Sequence, residues 1–69
     1  MTDSVYKVIE LVGSSSESWE KAAQNAIALA SESLRDLRIA EVVQMDMHIH
    51  EGKIKYYRTK LKVSFKYEG

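Results

Sequence analysis

Several residue types that constrain a fold are missing or scarce in this sequence of 69 residues, which has no cysteine, no proline and three glycines. The lack of cysteine excludes disulfides and thiolate metal ligands. No apolar run approaches the roughly 20 residues that a membrane-spanning helix needs. The first four residues, Met-Thr-Asp-Ser, lack the basic-then-apolar pattern of a secretion signal. We therefore expect a cytoplasmic protein with no membrane partner.

Neither sign of charge is in excess, because ten Lys and Arg residues balance ten Asp and Glu residues. Binding to phosphate backbones depends on a basic surplus, so nucleic acid is not an expected partner. A chain of this length predicts a single domain, over residues 1–69, with a small core that is usually marginal on its own. Since no disulfide can reinforce that core, we expect the chain to be stabilised by self-association.

The hydrophobic pattern predicts an α+β fold with the order β-α-β-β. The predicted strand, helix, strand and strand lie at residues 5–12, 16–35, 39–50 and 54–67. The first strand is rich in β-branched residues and ends at Gly13. A serine cap near Ser14 and an alanine-rich stripe with i, i+3, i+4, i+7 spacing indicate the helix. The last two strands alternate apolar and polar residues around Gly52, which is typical of a hairpin.

Alternation also predicts how the hairpin strands pair, because directly opposed residues share a face. The expected pairs are His50 with Ile54, Asp46 with Arg58, and Val43 with Leu61. One side of the second strand is apolar, and we expect it to cover the helix. It consists of Val43, Met45, Met47 and Ile49. Its other side carries Gln44, Asp46, His48 and His50 and faces the bases of the third strand.

Three of these polar residues, Asp46, His48 and His50, are candidate metal ligands. The pattern His-X-His places two imidazoles on one face of a strand, a spacing that serves zinc and other transition metals. Two imidazoles do not close a site, so symmetry-related copies would have to complete it. The simpler interpretation is a solvated or inter-subunit polar face. For Asp46 we favour a cross-strand ion pair with Arg58.

Three pieces of the sequence together resemble the dodecin family. They are VYKVIELVGSS at residues 5–15, Ala40-Glu41-Val42 after the alanine-rich helix, and LKVSF at residues 61–65. The resemblance implies a three-stranded antiparallel sheet partly wrapped around one helix, and a hollow assembly of twelve identical subunits. It also implies a flavin-binding protein of the kind that sequesters FMN or riboflavin and is not an enzyme.

The sequence departs from the family at the positions that hold flavin. Flavin-binding dodecins stack the ring on a tryptophan at the position of Ile39 and hydrogen-bond it with a glutamine at the position of Arg58. Isoleucine offers no aromatic face, and arginine only donates hydrogen bonds. Ile39, Glu41 and Arg58 therefore match the family's cofactor-binding region with its usual groups replaced. The sequence looks closer to the branch that lacks the flavin residues, which includes calcium-binding dodecins.

No nucleophile, base and orienting group form a recognisable set, so we expect no enzyme. The expected function is a homododecamer that binds or stores a small ligand, either calcium or a phosphate-bearing molecule. A phosphate would meet the basic stripe of Arg58, Lys60, Lys62 and Lys66, which equally suits a solvated strand face. Two alternatives stay open: a flavin-sequestering dodecin with an altered pocket, and a purely structural assembly protein.

Overall fold

The computed structural model describes residues 4–67, and the ends of the predicted domain, residues 1–3 and 68–69, lie outside the described residues. The elements are β1 (Tyr6–Ser15), α1 (Trp19–Ser31), β2 (Leu37–His50) and β3 (Lys53–Lys66). The strands form one antiparallel sheet in the order β1-β3-β2. This confirms the predicted α+β fold, and it makes β1 and β2 the edge strands of that sheet.

The helix α1 is shorter than the predicted span of residues 16–35. It begins after Ser18, whose hydroxyl accepts a hydrogen bond from the Lys21 amide at 3.0 Å. This bond satisfies one of the unpaired amides of the first turn. The helix ends at Ser31, and Asp36 further on has a φ of 57°. The helix therefore ends four residues before the predicted end at residue 35, and the left-handed conformation of Asp36 marks the turn into β2 at Leu37.

Gly13 lies inside β1 and does not end the strand as predicted. The residue allows a close approach of α1, because a Cβ on Gly13 would lie 2.0 Å from the carbonyl oxygen of Ala22 and 3.0 Å from the Cβ of Ala26. The strand continues to Ser15, whose hydroxyl accepts a hydrogen bond from the Glu17 amide at 2.9 Å. The helix therefore starts later than the serine run suggested.

The core lies between α1 and the β1–β3 part of the sheet. On the helix the buried positions are alanines, Ala22, Ala26 and Ala30, four residues apart on one face. On the sheet Leu61 and Val63 of β3 are each only 1% exposed. The partly buried residues packed around this core are Ile9, Leu11, Ala23, Ile27 and Leu37. The predicted alanine stripe is therefore the surface that lets the helix lie close to the sheet.

The apolar side of β2 does not cover the helix, which corrects the prediction. α1 packs mainly on β1 and β3, and Met45, Met47 and Ile49 are 56%, 41% and 64% exposed. One reason is that α1 is too short to cover β2, because its 13 residues span about 20 Å whereas the 14 residues of β2 span about 46 Å. The strand order adds to this, because β3 lies between β2 and β1.

The hairpin register is as predicted in the middle and shifted at both ends. Asp46 lies opposite Arg58, as expected, but Val42 and not Val43 lies opposite Leu61, because the pairing shifts between Val42 and Gln44. At the tip a two-residue turn, Glu51-Gly52, replaces the predicted three-residue loop, and both residues have positive φ, 52° and 76°. His50 is therefore opposite Lys53, with Ile49 opposite Ile54.

The hairpin extends beyond the rest of the sheet. β1 pairs with β3 only from Tyr57 to Lys66, so residues 48–56 form a two-stranded ribbon with no third strand beside it. We call these residues the hairpin arm. The described chain is accordingly elongated, with extents of 55 × 21 × 15 Å. No helix among residues 4–67 has the length and apolar character needed to cross a membrane.

Candidate ligand-binding site

The strongest polar contact of the sheet joins β2 to β3 at Asp46. Arg58 donates two hydrogen bonds to this carboxylate, from Nε to Oδ1 at 2.7 Å and from a terminal nitrogen to Oδ2 at 2.8 Å. The hydrogen bonds from Arg58 lower the pKa of the Asp46 carboxyl, and the same contact raises the pKa of Arg58. The ion pair favoured from the sequence therefore forms, and it occupies both carboxylate oxygens.

Two further bases of β3, Lys60 and Lys62, also face carboxylates on the neighbouring strands, whereas Lys66 lies opposite Tyr6. The Nζ atom of Lys60 lies 3.7 Å from Oε1 of Glu10 on β1. Lys62 is paired in register with Glu10 on one side and with Glu41 on the other. We call this surface, formed by Glu10, Glu41, Gln44, Asp46, Arg58, Lys60 and Lys62, the polar face. Because its charges alternate between strands, its attraction for a phosphate-bearing ligand is weaker than the basic stripe of β3 alone suggested.

A cleft of about 170 Å³ lies on the polar face. Its lining residues are Val12, Gln44, Asp46, Arg58 and Lys60. Pockets for drug-sized ligands enclose about 300 Å³ or more, so a single chain offers this cleft only to an ion or a very small molecule. A larger ligand on this face would need walls supplied by a second subunit.

Trp19 fixes the backbone beneath the ion pair, a role that sequence reasoning missed. Its indole Nε1 donates a hydrogen bond to the Asp46 carbonyl at 3.0 Å, and its ring packs edge-on against Tyr57 with 4.9 Å between centroids. The buried Thr59 hydroxyl donates to the Trp19 carbonyl at 2.9 Å. The sequence did offer a signal for this role. A packed indole needs an acceptor for its N–H, so a tryptophan at the start of the helix predicts a hydrogen bond to a neighbouring strand.

The three residues that match the family's cofactor region do not meet within one chain. Ile39 lies opposite Ser64, Glu41 opposite Lys62, and Arg58 opposite Asp46. From Ser64 to Arg58 the strand runs six residues, or about 20 Å. Ile39 is 69% exposed, and Arg58 is held by Asp46. One pocket could include both Ile39 and Arg58 only if they came from different subunits.

The candidate metal ligands are also separated in part. Asp46 belongs to the polar face, while His48 and His50 lie on the hairpin arm with exposed side chains. The His48 ring lies 6.1 Å from the Tyr56 ring, and His50 Nε2 lies 3.9 Å from Glu51 Oε1. Among residues 4–67 no group of three or more His, Cys, Asp or Glu side chains is placed to hold one metal ion. The two histidines thus stand as a pair, apart from Asp46.

Comparison with known proteins defines the class. A family model described as Dodecin matches residues 5–68. The chain is 52% identical over 64 residues to the calcium dodecin of Mycobacterium tuberculosis, covering 91% of this chain and 89% of that protein. It is 44% identical to the dodecin of Thermus thermophilus, covering 93% of each chain. The fold and these matches place it among small ligand-binding proteins. The chain belongs to the dodecin family.

Solved structures agree with this assignment. The dodecin of Streptomyces coelicolor superposes with a TM-score of 0.94 at 35% identity, over 100% of this chain and 99% of that one. The crystal structure of the Mycobacterium tuberculosis calcium dodecin gives a TM-score of 0.84 at 50% identity, over 94% and 93% of the two chains. The resemblance read from the sequence, including the likeness to the calcium-binding branch, is confirmed.

Proposed function

We propose that this protein is a non-enzymatic, cytoplasmic dodecin that assembles as a hollow homododecamer and binds calcium between its subunits. The observation that carries the proposal is the apolar surface that one chain leaves exposed. This surface lies on both sides of the sheet. Beside the polar face it consists of Tyr6, Val8, Val12 and Ile39, and on the opposite side of β2 it includes Val42, Met45 and Met47. Soluble monomers rarely expose a contiguous apolar patch of more than a few hundred Å².

The position of these residues favours self-association. Both strands are edges of the sheet, so each also presents unpaired backbone groups along its outer side. A core built on three alanines, one leucine and one valine is small for a chain of this length. Burying the exposed apolar residues of β1 and β2 against identical copies, on both sides of the sheet, would supply the missing apolar contact and cover both edges.

Similarity to a calcium dodecin and the side chains at the flavin positions both favour calcium as the ligand. The relative that is 52% identical is a calcium dodecin, and Ile39 provides no ring on which a flavin could stack. Calcium takes six to eight oxygen ligands, and β2 with its following turn carries Glu41, Asp46 and Glu51. Since Asp46 is bound to Arg58 and the three carboxylates are spread along the strand, a calcium site would draw ligands from neighbouring subunits.

The hydrogen bonds of the described residues give no support to catalysis. The hydroxyls of Ser15 and Ser18 cap backbone amides, and those of Ser31, Thr59 and Ser64 donate to backbone carbonyls. None of these hydroxyls is bonded to a histidine or carboxylate that could act as its base. A binding role needs no such pairing.

Native mass spectrometry of the untagged protein, with an absorbance scan of the same sample, tests the proposal. Twelve copies of 7.9 kDa should give about 95 kDa. Calcium should add mass that EGTA removes, and isothermal titration should give the same stoichiometry. A monomer or dimer would refute the assembly. A dodecamer that takes up no calcium but shows a visible flavin band would refute the calcium assignment in favour of an altered flavin pocket.

A matched pair of variants tests which side of β2 carries the contact. Met45→Lys places a charge on the exposed apolar side, whereas Gln44→Lys places the same charge one residue away on the polar face. We expect Met45→Lys to break the assembly and Gln44→Lys to keep it, because only the first buries an unpaired ammonium between subunits. Equal masses for the two variants would contradict this use of β2.

A further inference from the structure

The two histidines of the chain lie on the hairpin arm, outside the ion pairs of the polar face. His48 and His50 are both exposed, and the His50 side chain keeps 59% of its surface. Residues two apart on a strand point to the same side, with Cα atoms about 6.6 Å apart. Imidazoles at this separation can converge on one ion, which sits about 2.0 Å from each ligating nitrogen.

We propose that His48 and His50 together bind one transition-metal ion, of the Cu²⁺ or Zn²⁺ type, at a site separate from any calcium site. Imidazole nitrogen suits copper and zinc, whereas calcium takes oxygen ligands. The proposal is independent of the function argued above, because it rests on two nitrogen donors and not on the carboxylates of the polar face.

The residues around His48 and His50 affect how tightly the two imidazoles would bind a metal ion. A Glu51 carboxylate oxygen lies 3.9 Å from His50 Nε2, too far for a hydrogen bond but near enough for its charge to attract a bound cation. The Tyr56 ring, 6.1 Å from the His48 ring, borders the other imidazole. Lys53 is paired opposite His50, so its ammonium opposes a cation while Glu51 offsets it. Lys55 adds a second ammonium, 5.7 Å from the Tyr56 ring, so the charge around the pair is net positive and the two nitrogens must supply the affinity.

The described chain supplies two ligands and no more, since residues 4–67 contain no group of three or more His, Cys, Asp or Glu side chains around one point. Water would complete the coordination sphere, as in open metal sites. Such a site follows the general order of divalent affinities, so Cu²⁺ should bind more tightly than Zn²⁺. Calcium should not compete with either.

Titration of the full-length protein with CuSO₄ and with ZnCl₂ tests the pair, using His48→Gln, His50→Gln and a composition-matched control. The control is the double substitution Ile49→His with His50→Ile. It keeps two histidines in the arm but puts them on opposite faces of the strand. The wild-type protein should bind one ion per chain. Each of the three variants should bind about 100-fold more weakly, since the second imidazole acts at high effective concentration.

The control variant also keeps every other group of the chain that could bind copper, so its difference from the wild type reports the arrangement of the two histidines. Electron paramagnetic resonance of the Cu²⁺-loaded wild type should report two imidazole nitrogens, a readout that does not require any variant to fold. The proposal is overturned if the control binds as tightly as the wild type. It is equally overturned if the spectrum reports only oxygen ligands, or if millimolar calcium displaces the copper.

Discussion

Replacing Gly13 with alanine should unfold most of the protein, for a steric reason visible in the packing of α1. The added Cβ would lie 2.0 Å from the Ala22 carbonyl oxygen, 2.9 Å from the carbonyl carbon and 3.0 Å from the Cβ of Ala26. Ordinary contact between such atoms begins near 3.4 Å, so the helix would have to retreat by roughly 1.4 Å. The obstacle is backbone, and no side-chain rotation relieves it.

The loss of stability in Gly13→Ala can be estimated from the contacts that α1 loses when it moves away from β1. Overpacking a core costs about 1–3 kcal/mol, and more where the backbone must move. The displaced helix face carries Ala22 and Ala26, which close the core over Leu61 and Val63. Against this, a glycine-to-alanine change gains only about 0.4–1 kcal/mol from the unfolded chain. A small domain has about 3–5 kcal/mol of stability to lose, so we expect Gly13→Ala to remove most of it.

Urea denaturation followed by circular dichroism, at one fixed subunit concentration, measures this change. Gly52→Ala is the informative comparison, because Gly52 has open space around it but a φ of 76°. That variant should lose about 1–2 kcal/mol from backbone strain alone. Adding Ala22→Gly to Gly13→Ala should give no rescue, since the clash is with the Ala22 carbonyl. A Gly13→Ala protein within about 0.5 kcal/mol of wild type would refute the reasoning.

Three further changes have defined outcomes. Glu51→Asn should raise stability in urea titration by about 1 kcal/mol, because Glu51 and Gly52 both have positive φ and asparagine tolerates that conformation better than glutamate; no gain would mean that the Glu51 conformation is unstrained. Trp19→Phe should cost about 1 kcal/mol or more, since it leaves the Asp46 carbonyl without its indole donor; an unchanged unfolding midpoint would count against that hydrogen bond. Arg58 lowers the pKa of Asp46, so the stability that this pair contributes is present above the usual aspartate pKa and is lost as pH falls through the lowered value. Asp46→Asn should therefore flatten the acid limb of the stability–pH curve, and an unchanged limb would contradict the assignment.

The element order and the central register could be predicted because they depend on periodicity within the chain. Alternation in the hairpin allowed only one phase that kept both apolar sides together, and it set Asp46 opposite Arg58 as observed. The alanine spacing identified the buried side of α1 in the same way. Each of these features is decided by residues near one another in sequence, so a single sequence contains enough information to infer them.

The errors fell where tertiary packing overrides a local signal. A glycine after a β-branched run usually marks the end of a strand. Gly13 instead lies inside β1, where the absence of a side chain lets α1 pack against the strand. The exposed side of β2 is as apolar as a core strand, so alternation alone assigned it to the helix. The observed order β1-β3-β2 depends on which hairpin strand β1 joins. Nothing local decides this choice, and it determines that β2 becomes an edge.

The same strand order explains why the ligand could not be identified from one chain. With β3 in the centre, its bases Arg58 and Lys60 meet carboxylates on opposite sides, so the polar face neutralises part of its own charge at Asp46–Arg58 and at Glu10–Lys60. The apolar residues of both edge strands stay exposed, and Ile39 lies about 20 Å from Arg58 along the sheet. The polar face of a single subunit thus carries paired charges, while the edge strands keep exposed apolar residues. In the proposed assembly, a calcium site would arise where apolar contact between copies brings polar faces or strand ends together, which no motif within one chain reveals.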